Sequence, residues 1–385
     1  MRKAFKYRIY PTRRQQRLLE QTLEECRWVY NQTLALRRDT WEQGHRTMGL
    51  YESQTYLPTW KEEHPTLKTV HSQVLQNVQV RVDGAFNAFF RRVRAGEKPG
   101  YPRFKGRGRY DSITYPQYGN GARLDGSVLV LSKVGAVKVL LHRPVEGQVK
   151  TVTLRRTATG KWYACLSCEV EVRPPAAPVA ETAVGVDVGL ESFATLSTGE
   201  KVGNPRFFRR DERALAKAQR RLSKAEKGTP ERVKRRRVVG RVHERIANRR
   251  ADFAHQTARG LVNRFGVVVF EELNARGLLQ NHCLAKSIAD AAWRQLVQYA
   301  AYKAEEAGRR VVLVDPRHTS QMCSRCGSLV PKDLGVRVHE CPRCGLVLDR
   351  DQNAAINILR LGLQSLGVAL SVSKGEGPGS PRLQP

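Results

Sequence analysis

AVGVDVGL (residues 183–190) decides how this chain is read. Val184, Val186 and Val188 flank Asp187 as in a buried strand, where a carboxylate is expensive to desolvate unless a cation shares its surroundings. Two more acids have comparable settings: Glu271 in VVVFEEL (267–273), and Asp351 in DRDQNAAINIL (349–359). Carboxylates from distant parts of a chain converge most simply on Mg²⁺, and that arrangement reads as a metal-dependent nuclease. Glu272 reads as the exposed neighbour of Glu271. Asp351 and Asp349 both precede a helical stretch, so each also suits the role of N-cap.

Between the second and third acids stand Cys323-x₂-Cys326 and Cys341-x₂-Cys344, with Gly327 and Gly345 directly after the pairs and 14 residues between them. Each pair makes a tight knuckle presenting two thiolates, and two knuckles complete the tetrahedral shell of one structural Zn²⁺. A closed four-sulfur shell leaves no position open for catalysis. Cys165 and Cys168 share the spacing but lie in an alternating segment, where positions three apart point to opposite faces.

The 385 residues carry 67 Lys+Arg against 36 Asp+Glu, a net charge of +31 and a sequence pI near 10.3. Such an excess calls for a polyanion. No apolar run approaches the roughly 18 residues of a membrane span, and MRKAFKYRIYPTRR lacks the apolar segment of a secretory signal. Nucleic acid and a cytoplasmic location are therefore expected. The positive charge peaks between Arg206 and Arg250, with 18 Lys/Arg and 5 Asp/Glu. RALAKAQRRLSKAEKG (213–228) and ERVKRRRVVGRVHERIANRR (231–250) read as two helices offering Arg220, Arg221, Lys224, Arg235, Arg236 and Arg237 to phosphates. A second nucleic-acid surface is expected at residues 96–118, where Arg103 and Lys105 interleave with Tyr101, Phe104, Tyr110, Tyr115 and Tyr118, since rings beside cations suit unpaired bases.

Along the chain, residues 1–10 alternate as a strand, and Thr12 with Gln15 has capping-box spacing ahead of a helix to about Arg38. A second helix is expected over 72–94. From 112 to 174 the period is two, giving four strands of a small antiparallel barrel or sheet. PPAAPVA (174–180) reads as a linker. Strands 184–189, 193–198, 265–273 and 309–315 then alternate with helices, as in a sheet covered by helices. The composition of the last stretch suggests a disordered tail.

FKYRIYPTRRQQ (5–16), CRWVYNQ (26–32), GYPRFKG (100–106), GVDVGL, AQRRLSK (218–224), VVVFEELNARGL (267–278), TSQMCSRCG (319–327), CPRCG (341–345) and DRDQNAAINIL follow one another as in the TnpB family of transposon-encoded, RNA-guided DNA nucleases, which the chain resembles to about residue 362. Glu272 departs from it, standing where the family often has Asp. The resemblance implies an α/β multi-domain protein with these bounds: the first strand of a wedge-like β-barrel at 1–10; a helical recognition lobe at 11–100; the rest of the barrel at 101–173; an RNase H-like RuvC nuclease domain at 181–318, containing the basic arm; a zinc ribbon inserted at 319–348; the third acidic motif at 349–362; and a tail at 363–385. It further implies a catalytic triad of Asp187, Glu271 and Asp351 holding two Mg²⁺. The implied partners are a guide RNA from the transposon end, bound by one protein per RNA, and double-stranded DNA bearing a short flanking motif. Three other activities use such parts: a guided repressor that does not cut, a transposase, and a junction resolvase.

Overall fold

The computed structural model describes residues 1–171, 183–333 and 335–367. The expected linker at 174–180, and all of the expected tail beyond residue 367, lie outside these. Two compact units divide the chain, Met1–Glu171 and Val172–Pro385.

In the first unit, β1 (Arg2–Tyr10) buries Phe5, Tyr7 and Ile9 on one side, as its alternation requires. Thr12 and Gln15 close the capping box of α1 (Arg13–Gly44), with Gln15 N donating to Thr12 Oγ1 at 3.3 Å and Thr12 N to Gln15 Oε1 at 3.0 Å. The helix runs to Gly44, past the expected end at Arg38, and His45 in the left-handed region stops it. Short helices α2 (Leu50–Gln54) and α3 (Leu57–Glu63) lead to α4 (Ser72–Arg94). Six more strands follow: β2 (Ser112–Tyr115), β3 (Ala122–Asp125), β4 (Val128–Leu131), β5 (Gly135–Leu140), β6 (Gln148–Arg156) and β7 (Trp162–Glu169). Their order is β2-β6-β7-β1-β5-β4-β3 and every pairing is antiparallel. The N-terminal strand is thus central, and β2 and β3 flank the seam of a near-closed barrel. One continuous core joins helices to sheet, with Leu19, Val29, Val74 and Val82 packed in the same cluster as Phe5, Tyr7, Leu154 and Trp162.

The second unit contains β8 (Ala183–Asp187), β9 (Ser192–Leu196), β10 (Lys201–Gly203), α5 (Phe207–Ser223), α6 (Pro230–Arg264), β11 (Val267–Glu271), α7 (Ala275–Leu278), α8 (Ala285–Ala291), α9 (Trp293–Glu306), β12 (Arg310–Val314), β13 (Val338–Glu340), β14 (Val347–Asp349) and α10 (Arg350–Ser365). The main sheet has the order β10-β9-β8-β11-β12. β10, β9 and β8 pair antiparallel, while β8, β11 and β12 run parallel. β8 and β11 are covered on both faces, which is why they read as unbroken apolar runs. Val184, Val186, Val268 and Phe270 face a cluster that includes Ala258 and Leu261 of α6 and Leu296 and Ala300 of α9. Ala183 and Val269 face Ile358, Leu359 and Leu363 of α10. Because side chains alternate, Asp187 and Glu271 share the parity of Ala183 and Val269 and belong to the α10 side.

Two glycines let α10 lie close. A Cβ on Gly185 would meet Ala355 O at 2.0 Å, and one on Gly362 would meet a Val269 methyl at 2.4 Å.

Candidate active site and metal centre

Asp187 ends β8 and Glu271 ends β11. The parallel register pairs Phe270 with Val186, so Glu271 continues level with Asp187. α10 crosses both strands from the other side and brings Asp351 in its first turn. The three acids line one open cleft of about 350 Å³ together with Thr319, Ser320, Glu191, Arg337 and Arg350. The helix start gives Asp349 and Asp351 different surroundings. Asp349 is the N-cap, accepting from Asp351 N and Gln352 N at 3.1 Å each, and pairs with Lys201 Nζ at 2.8 Å. Asp351, freed of capping, faces the cleft.

The electrostatics differ accordingly. Burial, with the Glu271 and Asp351 charges beside it, pushes the Asp187 carboxyl up to about 8, and the Arg350 guanidinium opposes this only in part. Burial also raises Glu271, against a lowering hydrogen bond from Thr319. Burial and Asp349 raise Asp351, with Arg337, Arg350 and Lys201 pulling the other way. At Asp349, burial is outweighed by the Lys201 ammonium and the Gln352 N–H, and the carboxyl sits below its ordinary value. Three acids that resist ionisation together form a donor set suited to a hard cation.

Glu272 is exposed, and its N–H donates to Val314 O at 2.8 Å. Thr319 escaped the sequence reading. Its hydroxyl, on a residue only 4% exposed, donates to the Glu271 carboxylate. The only sign in the sequence was its place opening TSQMCSRCG.

The sulfurs of Cys323, Cys326, Cys341 and Cys344 all lie within 4.8 Å of one another, the one such donor group among the described residues. Gly327 and Gly345 adopt φ of 74° and 68°, and their N–H groups return to Cys323 O and Cys341 O at 2.9 Å. These are the tight knuckles expected, and four soft sulfurs fit Zn²⁺. β13 and β14 make the accompanying hairpin. Cys165 and Cys168 occupy opposite faces of β7.

The basic arm is the antiparallel pair α5 and α6. It turns at residues 224–229, where Arg232 donates to Ala225 O at 2.5 Å and Leu222 O at 3.1 Å. Arg220, Arg221, Lys224, Arg236 and Arg237 are exposed, whereas Arg235 is half-buried and paired with Glu231 at 2.6 Å. At the root of the arm Asp211 ties the helices together through Arg245 and Arg249.

In the first unit, Arg103 is exposed, and the Lys105 backbone is held by Asn31 at 2.8 and 3.1 Å. The aromatic residues there divide. Tyr101, Phe104 and Tyr118 are exposed, but Tyr110 and Tyr115 are core residues, contrary to the expected base-stacking surface. Arg81 of α4 explains Tyr110: it reaches the Tyr110 hydroxyl and Ser112 at 3.1 Å and Thr114 at 2.6 Å, fastening helix to strand over the ring.

Three family models match the chain: "Cas12f1-like, TNB domain" over residues 293–358, "Probable transposase" over 166–282, and "Helix-turn-helix domain" over 1–46. The third description does not fit, because residues 1–46 form a strand and one long helix. A "Putative RNA-guided DNA endonuclease" of Streptomyces pristinaespiralis is 40% identical over 371 residues, covering 94% of this chain and 90% of the relative. The "Putative RNA-guided DNA endonuclease InsQ" of Escherichia coli (strain K12) is 31% identical over 392 residues, covering 97% and 95%. Among solved structures, Cas12f1 in a complex with sgRNA and target DNA aligns with TM-score 0.57 at 16% identity, covering 88% of this chain and 81% of that one. The mini-RNA-guided endonuclease CRISPR-Cas_phi3 aligns with TM-score 0.52 at 8% identity, covering 94% and 92%. At those identities the likeness is one of fold.

Proposed function

The chain belongs to the TnpB family, and on that premise we propose that it is the RNA-guided DNA endonuclease of a transposable element, cutting DNA that pairs with its guide beside a short flanking motif. One observation carries the catalytic part: three acids from residues 187, 271 and 351 share a single cleft. The antiparallel–parallel order β10-β9-β8-β11-β12, with α10 across it, supports an RNase H-like, RuvC-type nuclease domain. The barrel and helices of the first unit would serve as wedge and recognition lobe. By this reading the protein works in the cytoplasm, one chain to each guide RNA.

Asp187, Glu271 and Asp351 would hold two Mg²⁺, which supply an acidified water and charge neutralisation at the leaving oxygen. Asp187, which feels the charges of both other acids and is most strongly shifted in pKa, is suited to be shared. Arg337 and Arg350 line the same cleft and can orient the scissile phosphate. The four cysteines would hold one structural Zn²⁺. Sequence choice is left to base pairing, with the basic residues gripping backbone.

The test is to co-express the chain with its flanking transposon DNA, sequence the bound RNA, and assay cleavage of a matching duplex with Mg²⁺. Asp187→Ala should retain the RNA and lose cleavage. Random cellular RNA in the complex, or undiminished cutting by the variant, overturns the reading. The "Probable transposase" match over 166–282 favours strand joining as a second reading, and strand-transfer products in place of free ends would reveal it.

A further inference from the structure

Asp351 is not the only residue of α10 tied to the active site. Asn353, Asn357 and Arg360 follow at spacings of four and three, along one helix face, and all three grip the main chain of residues 319–324. Asn353 accepts from Ser324 N at 2.9 Å and donates to Met322 O at 2.8 Å. Asn357 donates to Thr319 O at 2.8 Å and Met322 O at 2.7 Å, and Arg360 donates to Ser324 O at 2.5 Å. Both asparagines are buried. Each N–H of the Asn357 amide is committed to a carbonyl, while its Oδ1 is buried with no partner. An unsatisfied buried acceptor is unfavourable, so the two donors are what the position needs.

The gripped segment begins with Thr319 and ends at the first zinc knuckle. Resting on the metal-site reading above, we infer that Thr319 is the positioning residue for Glu271, held in place by the Asn353–Asn357–Arg360 clamp. The helix that contributes the third acid thereby also aims the second. A glutamate side chain has several rotatable bonds and loses rotamer entropy when fixed. The Thr319 hydroxyl fixes it before a cation arrives, as partners outside a metal's ligand sphere commonly do.

The experiment uses the full chain bound to its guide RNA. Thr319→Val keeps the shape and removes the hydroxyl, Thr319→Ser restores it, and Asn357→Asp replaces the two donors with a carboxylate facing two carbonyls. Mn²⁺ binding by calorimetry, Mg²⁺ dependence of cleavage, zinc content and melting temperature are measured together. Thr319→Val should weaken Mn²⁺ binding and raise the Mg²⁺ requirement, each by about tenfold or more, with zinc content unchanged. Thr319→Ser should match wild type, and Asn357→Asp should shift in the direction of the valine variant. Wild-type Mn²⁺ binding by Thr319→Val, equal failure of the serine variant, or loss of zinc from the valine variant each overturns the inference. Absence of guided cleavage in the wild-type protein would instead count against the functional reading, while the Mn²⁺ isotherms would still decide the role of Thr319.

Discussion

At the scale of single residues, Asp187 links stability to pH. Its folded pKa of about 8 lies above its ordinary 3.8, so between these values the folded state binds the proton that the unfolded chain has released. Stability therefore falls as pH rises through that window and levels off above it. Raised values at Glu271 and Asp351 act in the same sense. Without divalent cations, melting temperature should drop from pH 6 to pH 9 in the wild type, and distinctly less in Asp187→Asn. Added Mg²⁺ should flatten the wild-type curve. Equal slopes for the two proteins in metal-free buffer would refute the assignment of the shift. Asp349 is a different acid in a similar-looking place. Its removal should cost about 1 kcal/mol through the lost cap without abolishing cleavage, which a side-by-side comparison with Asp351→Ala would check.

Among the elements, α10 depends on absent side chains. Gly185→Ala would drive a methyl into the Ala355 carbonyl, and overpacking of this kind costs about 1–3 kcal/mol or more. Gly260→Ala, inside α6 with nothing within 4 Å of the new methyl, should instead stabilise by up to about 1 kcal/mol. Urea denaturation of the two variants should move in opposite directions. The contrast also marks what the sequence revealed. The apolar runs made β8 and β11 legible, whereas the parallel register that sets Glu271 level with Asp187 came from the structure. Capping preference alone left Asp349 and Asp351 equivalent and only the family resemblance favoured Asp351, since the N-cap position turns on where β14 leaves its pairing with β13. Asn353 and Asn357 sit in a periodic helix, yet their partners lie some 30 residues upstream, so nothing local announced the clamp. Tyr110 and Tyr115 misled for a similar reason: basic neighbours suggested a base-binding surface, whereas distant Arg81 and the α4 packing take them into the core.

For the molecule as a whole, a charge of +31 makes polyanion binding strongly salt-dependent. Replacing Arg220, Arg221 and Lys224 by Gln should lower the slope of log affinity for guide RNA against log salt by about 2 to 3, at roughly 0.7–0.9 per phosphate contact. Anisotropy titrations over a salt series would measure it, and an unchanged slope would remove these residues from the interface. The crossing of α10 over β8 and β11 has one more consequence, for biosynthesis. Acids one and two leave the ribosome well before α10, which alone brings the third acid and the clamp on residues 319–324. A chain stalled or frameshifted just before residue 350 therefore carries the sequence of the barrel, the arm and both knuckles but only two of the three acids of the cleft. Such a product lacks the third acid of the cleft and leaves the α10 side of β8 and β11 uncovered, so on the proposed mechanism cutting waits until nearly the whole described chain has been translated.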